Sequence, residues 1–146
     1  MYELIYRSLA AEDITSDDIE DILNESREFN ARHDITGCLL FFNNEFVQIL
    51  EGDKAVIKGL FEKISKDFRH TDVMLLNEDD KEERIFNNWT MAYYNVNDSK
   101  SGESERLLFI RNFIITADLS EKPTHAVRLF WHVAKELVGP WALGDL

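Results

Sequence analysis

Residues 36–52 read TGCLLFFNNEFVQILEG, two apolar runs separated by an asparagine pair. Asn tolerates positive φ, so Asn43-Asn44 reads as a tight turn joining two antiparallel strands, 36–43 and 45–51. Gly52 breaks the second strand, and Asp53 is placed to cap a helix reaching about Asp67. The stripe of that helix is Val56, Ile57, Leu60, Phe61 and Ile64. Working back from the hairpin, residues 2–8 alternate. Tyr2, Leu4, Tyr6 and Ser8 share one face while Glu3, Ile5 and Arg7 share the other, which is a strand pattern. Thr15 and Ser16, followed by Asp17, Asp18 and Glu20, make a helix start with acids in its positive first turn. Ile19, Ile22, Leu23, Ser26, Phe29 and Asn30 carry that helix to about Asp34. Beyond the second helix, residues 71–76 read as a strand, NEDDKEER at 77–84 as an acidic surface loop, and residues 89–94 as a last strand.

The order β-α-β-β-α-β-β predicts an α/β (α+β) fold of ferredoxin-like type, with both helices on one face of the sheet. Ile5, Leu39, Phe41, Val47 and Ile49 are assigned to the opposite face, which therefore needs a cover. After a polar linker at 95–102, one helix is expected over 103–115. Another follows Pro123, carries Val127, Phe130, Trp131, Ala134, Leu137 and Val138, and stops at Gly139-Pro140. The expected organisation is a core over 1–95 and a helical extension over 96–146 packed on the same sheet.

The chain has 146 residues with 16 basic and 28 acidic side chains, a formal net charge of −12. That balance argues against nucleic acid and anionic membrane as partners, since both need a basic surface. No run approaches the roughly 20 apolar residues of a membrane helix, and the N-terminus lacks a basic-then-apolar leader, so a cytoplasmic location is expected. Cys38 is the single cysteine, which excludes an internal disulfide and a multi-cysteine metal site. The four histidines show no metal-ligand spacing, and neither a phosphate-binding glycine loop nor a nucleophile elbow occurs.

Three polar residues interrupt apolar patterns. Ser26 and Asn30 fall on the stripe of the first helix, and Gln48 sits between Phe46 and Leu50. Burying an amide without partners costs on the order of 1–3 kcal/mol, so each needs one. Asn30 either caps the helix end or bonds a polar, planar ligand lying against the helix. Gln48 either bonds neighbouring backbone or pairs with Tyr6, which occupies the equivalent face of the first strand.

The order of residues adds to their type. LIYRS at 4–8, S-R-x-x-N-A at 26–31, ITG at 35–37, F-x-Q-x-L-E-G at 46–52, D-x-R-H at 67–70 and R-x-F-x-x-W-x-M at 84–91 together resemble the BLUF family, sensors of blue light using FAD. The resemblance covers residues 2–95. It implies an isoalloxazine ring between the two helices. Tyr6 then corresponds to the light-reactive tyrosine, Gln48 to the switching glutamine, and Asn30 to the asparagine on the ring's C4 and N3 edge. Ser26 corresponds to a serine near the glutamine, Lys63 to a basic residue near the phosphates with Asp67 one turn on, and Ile64 to a branched residue on the ring. Arg69 and His70 correspond to residues near the C2 carbonyl side or the cofactor tail. Trp89 and Met91 correspond to the fifth-strand pair linked to signalling. Phe29 departs from the family, whose members often carry His or Asn there.

The implied function is blue-light photoreception with FAD, or FMN or riboflavin in its place, and no substrate turnover. In the family mechanism Tyr6 gives up an electron and a proton by way of Gln48, which is left rotated or tautomerised. The chain looks like a short, stand-alone member, a homo-oligomer that acts on a separate protein partner. The alternatives are a ferredoxin-like interaction or small-ligand domain without photochemistry, and an acylphosphatase-type hydrolase, which lacks its phosphate loop here.

Overall fold

The computed structural model describes residues 1–42, 44–86, 92–95 and 124–138. Its elements are β1 (Tyr2–Ala10), α1 (Ser16–Arg32), β2 (Thr36–Phe42), β3 (Glu45–Gly52), α2 (Lys54–Lys66), β4 (His70–Asp80), β5 (Ala92–Asn95) and α3 (His125–Val138). The five strands form one sheet in the order β4-β1-β3-β2-β5. β1 runs antiparallel to both β3 and β4, β2 antiparallel to β3, and β5 parallel to β2. The first four strands and two helices are thus the expected ferredoxin-like arrangement.

Local chemistry explains the boundaries. α1 starts in a capping box: Thr15 Oγ1 accepts from Asp18 N, and Asp18 Oδ2 accepts from Thr15 N. α2 starts where Asp53 Oδ2 accepts from Val56 N at 3.2 Å. α1 ends as Asp34 takes φ 53° and Ile35 N donates to Asn30 O at 2.9 Å. That closure satisfies carbonyls left open at the helix end, and an aspartate stands where glycine is usual. Asn44 takes φ 64° at the hairpin, and its side-chain amide donates to Ala10 O at 3.1 Å, tying the turn to the end of β1.

Two expectations need correction. Two residues separate Phe42 from Glu45, so Leu39 pairs with Gln48 and Phe41 with Phe46. Directly opposed residues share a face, which puts Leu39 and Phe41 on the helix side with Tyr6, not on the second face. Cys38 and Leu40 take the places assigned to them, beside Ile5, Val47 and Ile49, and all five are fully buried. The acidic segment is not wholly a loop either. Residues 77–80 continue β4 alongside the start of β1, where Tyr2 pairs with Asp80 and Leu4 with Glu78. Acids are tolerated there because β4 is an outer strand, exposed along much of its length.

The core under the helices joins Tyr2, Leu4, Tyr6, Leu39, Phe41, Phe46 and Leu50 of the sheet to Ile22, Leu23 and Ile57 of the helices. Against β1, β3 and β4 also lies α3, with Ala126, Val127 and Phe130 buried. His125 and His132 are on its exposed side, as expected of surface positions. The helix expected over 103–115, and Trp89, Met91 and Trp141, lie outside the described residues. No helix among the described residues is long and apolar enough to cross a membrane.

At Gly37 the backbones of β2 and β3 leave no room for a side chain. A Cβ there would lie 2.1 Å from Ile49 O. Gly37→Ala should therefore force the strands apart and destabilise the fold by about 1–3 kcal/mol. A lower urea midpoint at unchanged slope is the expected result.

Candidate functional site

Between α1, α2 and the sheet lies a cavity of about 310 Å³, within the range of small-molecule clefts. Strand pairing builds its floor. Tyr6 of β1 and Leu39 of β2 both stand opposite Gln48 of β3, so phenol, amide and isobutyl side chains form a row across three strands. Tyr6 Oη donates to Gln48 Oε1 at 2.5 Å in a fully buried contact. Phe61 of α2 packs against the Tyr6 ring with centroids 5.6 Å apart. Burial raises the Tyr6 phenol well above its ordinary pKa of 10.0, and the charge of Asp67 adds to the shift. Tyr6 therefore stays protonated and presents its proton to one acceptor.

The walls come from the helix stripes. Ile22, Ser26, Phe29 and Asn30 of α1 face Leu60, Lys63 and Ile64 of α2 across the cavity. Asn30 is 1% exposed, and its main-chain oxygen takes the bonds that close α1. Charged groups gather at the rim. Arg69 is held by Asp67, with Nη2 to Oδ2 at 2.6 Å, and by Glu25 at 2.9 Å. The pair shifts both groups outward, since the Arg69 hydrogen bond lowers Asp67 and the Asp67 hydrogen bond raises Arg69. Lys63 Nζ lies 5.3 Å from the Phe29 ring centroid, a cation–π contact. The aromatic ring in place of a polar residue thus engages the cation of the opposite wall.

Tyr6, Ser26, Asn30, Gln48, Lys63, Ile64, Asp67, Arg69 and His70 all line this one cavity. Trp89 and Met91 are the two candidates whose positions fall outside the described residues. Convergent amides, a buried phenol and flat aliphatic walls suit a planar ring with polar edges, and the charged rim suits a polar tail. This chemistry fits a flavin.

The family profile described as sensors of blue-light using FAD matches residues 1–92. The chain belongs to the BLUF family. It is therefore a member of a family of blue-light flavin sensors. Photoactivated adenylate cyclase subunit beta of Euglena gracilis is 37% identical over 90 residues, covering 61% of this chain and 10% of that protein. The blue light- and temperature-regulated antirepressor BluF of Escherichia coli is 36% identical over 73 residues, covering 50% of this chain and 18% of the relative. Among solved structures, the dark state of BlrB, a BLUF protein, superposes with a TM-score of 0.66 at 29% identity, covering 93% of this chain and 96% of that one. BlrP1 of Klebsiella pneumoniae superposes with a TM-score of 0.74 at 27% identity, but this chain spans 34% of it.

One group that spacing did not expose is a buried charge cluster on the second face. Glu3 and Glu51 oppose each other across β1 and β3, and Lys81 lies between them, 2.8 Å and 2.5 Å from their carboxylates. The sign in the sequence was an acid at the apolar end of each strand.

His70 packs its ring 4.9 Å from Phe46 and sets Nδ1 2.9 Å from Ser8 Oγ. Burial lowers its pKa below 6.5, Asp67 opposing the shift and Arg69 adding to it. The unfolded chain then binds the proton more readily than the native one. Stability from this imidazole is complete above pH 6.5 and is lost as pH falls towards the depressed native value. His70→Asn should flatten the decline in stability below about pH 6.5 that urea titrations of the wild type would record.

Proposed function

We propose that the chain is a cytoplasmic photoreceptor that holds FAD in the cavity between α1 and α2 and passes its response to a separate protein. The observation that carries this reading is the buried Tyr6–Gln48 hydrogen bond on the cavity floor. An isoalloxazine bound there supplies a blue-absorbing, photo-oxidising ring. FMN or riboflavin would fit the same ring site.

The chain's own groups have distinct tasks. Tyr6 is an oxidisable phenol whose proton at Oη has Gln48 Oε1 as its immediate acceptor. Gln48 is an amide, with an acceptor and a donor end, so turning or tautomerising it exchanges what it offers to Tyr6 and to the cavity. Asn30 presents amide groups for a ring edge, with Ser26 one turn away. Ile64, Ile22 and Leu60 supply flat apolar contact and exclude water. Lys63 and Arg69 supply positive charge at the rim, and Asp67 orients Arg69.

Because no bond of a substrate is made or broken in this scheme, the chain acts as a sensor rather than an enzyme. The cyclase named among its relatives is a property of those longer proteins. A domain over 1–95 with an extension over 96–146 suits this role, since α3 covers the strands that floor the cavity. Trp89 and Met91, in the segment leading into β5, are the proposed route outward. Self-association of the chain is part of the same proposal.

Tyr6→Phe should keep flavin and lose the reversible red shift of its absorption under blue light, because ring volume stays while the hydroxyl goes. A normal shift in this variant would remove Tyr6 from its role. Asn30→Ala should retain less flavin through purification than the exposed change Glu20→Ala. The expected loss of affinity is about tenfold, as follows from losing one buried hydrogen bond.

A further inference from the structure

The floor of the cavity and its α1 wall are both fastened to one short stretch of chain. Gln48 and Glu51 share β3 but face opposite sides, since they are three positions apart along the strand. Glu51 is fully buried, and its carboxylate accepts from Ile85 N at 3.0 Å and from Phe86 N at 2.5 Å. Thr36 Oγ1 and Lys81 Nζ donate to it as well, at 2.9 Å and 2.5 Å. The second fastening comes from α1. The same helix end that carries Asn30 turns through Asp34, whose main-chain oxygen accepts from Arg84 Nη2 at 2.9 Å. Arg84 Nη1 also donates to Thr36 Oγ1 at 2.7 Å and to Glu51 O at 3.3 Å. Residues 84–86 are therefore held by β3 through Glu51 and by the end of α1 through Arg84, just before the chain leads on to Trp89, Met91 and β5.

We propose that Glu51 is a positioning residue that couples the cavity strand to the segment entering β5, with Arg84 as its counterpart on the α1 side. The proposal rests on the photoreceptor reading for its functional sense, but its structural half stands in the dark. A carboxylate is the one side chain that accepts from two successive backbone amides, a hydroxyl and an ammonium at once. Any displacement of β3 at Gln48 carries Glu51 with it, and residues 85 and 86 must follow or release their bonds. The Glu3–Lys81 ion pair serves a different purpose, balancing charge beside Glu51 without touching those amides.

Amide hydrogen exchange of the full chain, in the dark and under blue light, tests this. In the dark, Glu51→Gln should speed exchange at Ile85 and Phe86 by about tenfold or more, because the replacement offers them one acceptor instead of two. Under light, it should keep the flavin red shift yet lose the light-minus-dark difference over 85–95. The control variant Glu3→Gln keeps both the Glu51 carboxylate and its Lys81 partner, and should keep the slow dark exchange and the difference. Wild-type exchange at 85 and 86 in Glu51→Gln, or an undiminished light difference, would overturn the proposal, as would equal losses in Glu3→Gln. Should Glu51→Gln fail to fold, Arg84→Gln gives the same test from the α1 side, with faster exchange at 85 and 86 expected and unchanged exchange overturning it. A wild type without any red shift would sink the photoreceptor reading alone, because the dark exchange still decides the fastening.

Discussion

Everything at this site depends on the pairing of β1 with β3. Antiparallel register sets Tyr6 opposite Gln48, and parity then turns both side chains towards the helices. An amide buried in an apolar sheet needs a fixed partner, and the hydroxyl at the far end of the Tyr6 ring reaches it. A slip of one residue would point Gln48 at α3 and put Val47 on the cavity floor. The apolar neighbours on both faces make that slip costly, so the core enforces the polar contact.

The helices are subordinate to that row. α1 and α2 are amphipathic elements whose stripes would otherwise close on the sheet. At the cavity they stay apart, and polar or charged groups replace apolar ones where they face each other: Ser26, Asn30, Lys63. Charge at the rim is largely paired, so Arg69 arrives oriented by Asp67 and Glu25 instead of sweeping through solvent. Such pre-orientation lowers the entropy lost when a ligand tail docks.

Much of this was legible in the sequence because its signals are local. Asn43-Asn44, Asp53 and Thr15 announce a turn and two caps with known side-chain chemistry, and the alternation of residues 2–8 set Tyr6 on the right face. The lining of the cavity came from ordered motifs, since a single buried Asn or Gln does not say what it bonds. Misplacing Leu39 and Phe41 shows the limit: face assignment in β2 depends on counting across the turn, and an error of one inverts the strand. The extension of β4 over acidic residues was hidden because an outer strand needs no apolar pattern. Lys81 was hidden for another reason, as its burial depends on two glutamates far away in the chain.

The outer position of β4 has a consequence for solubility. An unpaired strand edge is a template on which a second copy of the chain adds by main-chain hydrogen bonds. Here Asp72 takes φ 48° where the register between Arg7 and Leu9 shifts, and the strand ends in Glu78, Asp79 and Asp80. A second β4 pairing antiparallel about Leu75 would set Asp72 against Glu78 and repeat that repulsion at the symmetric position. Irregular backbone and like charge together discourage open-ended sheet growth along this edge, an outer one among the described strands.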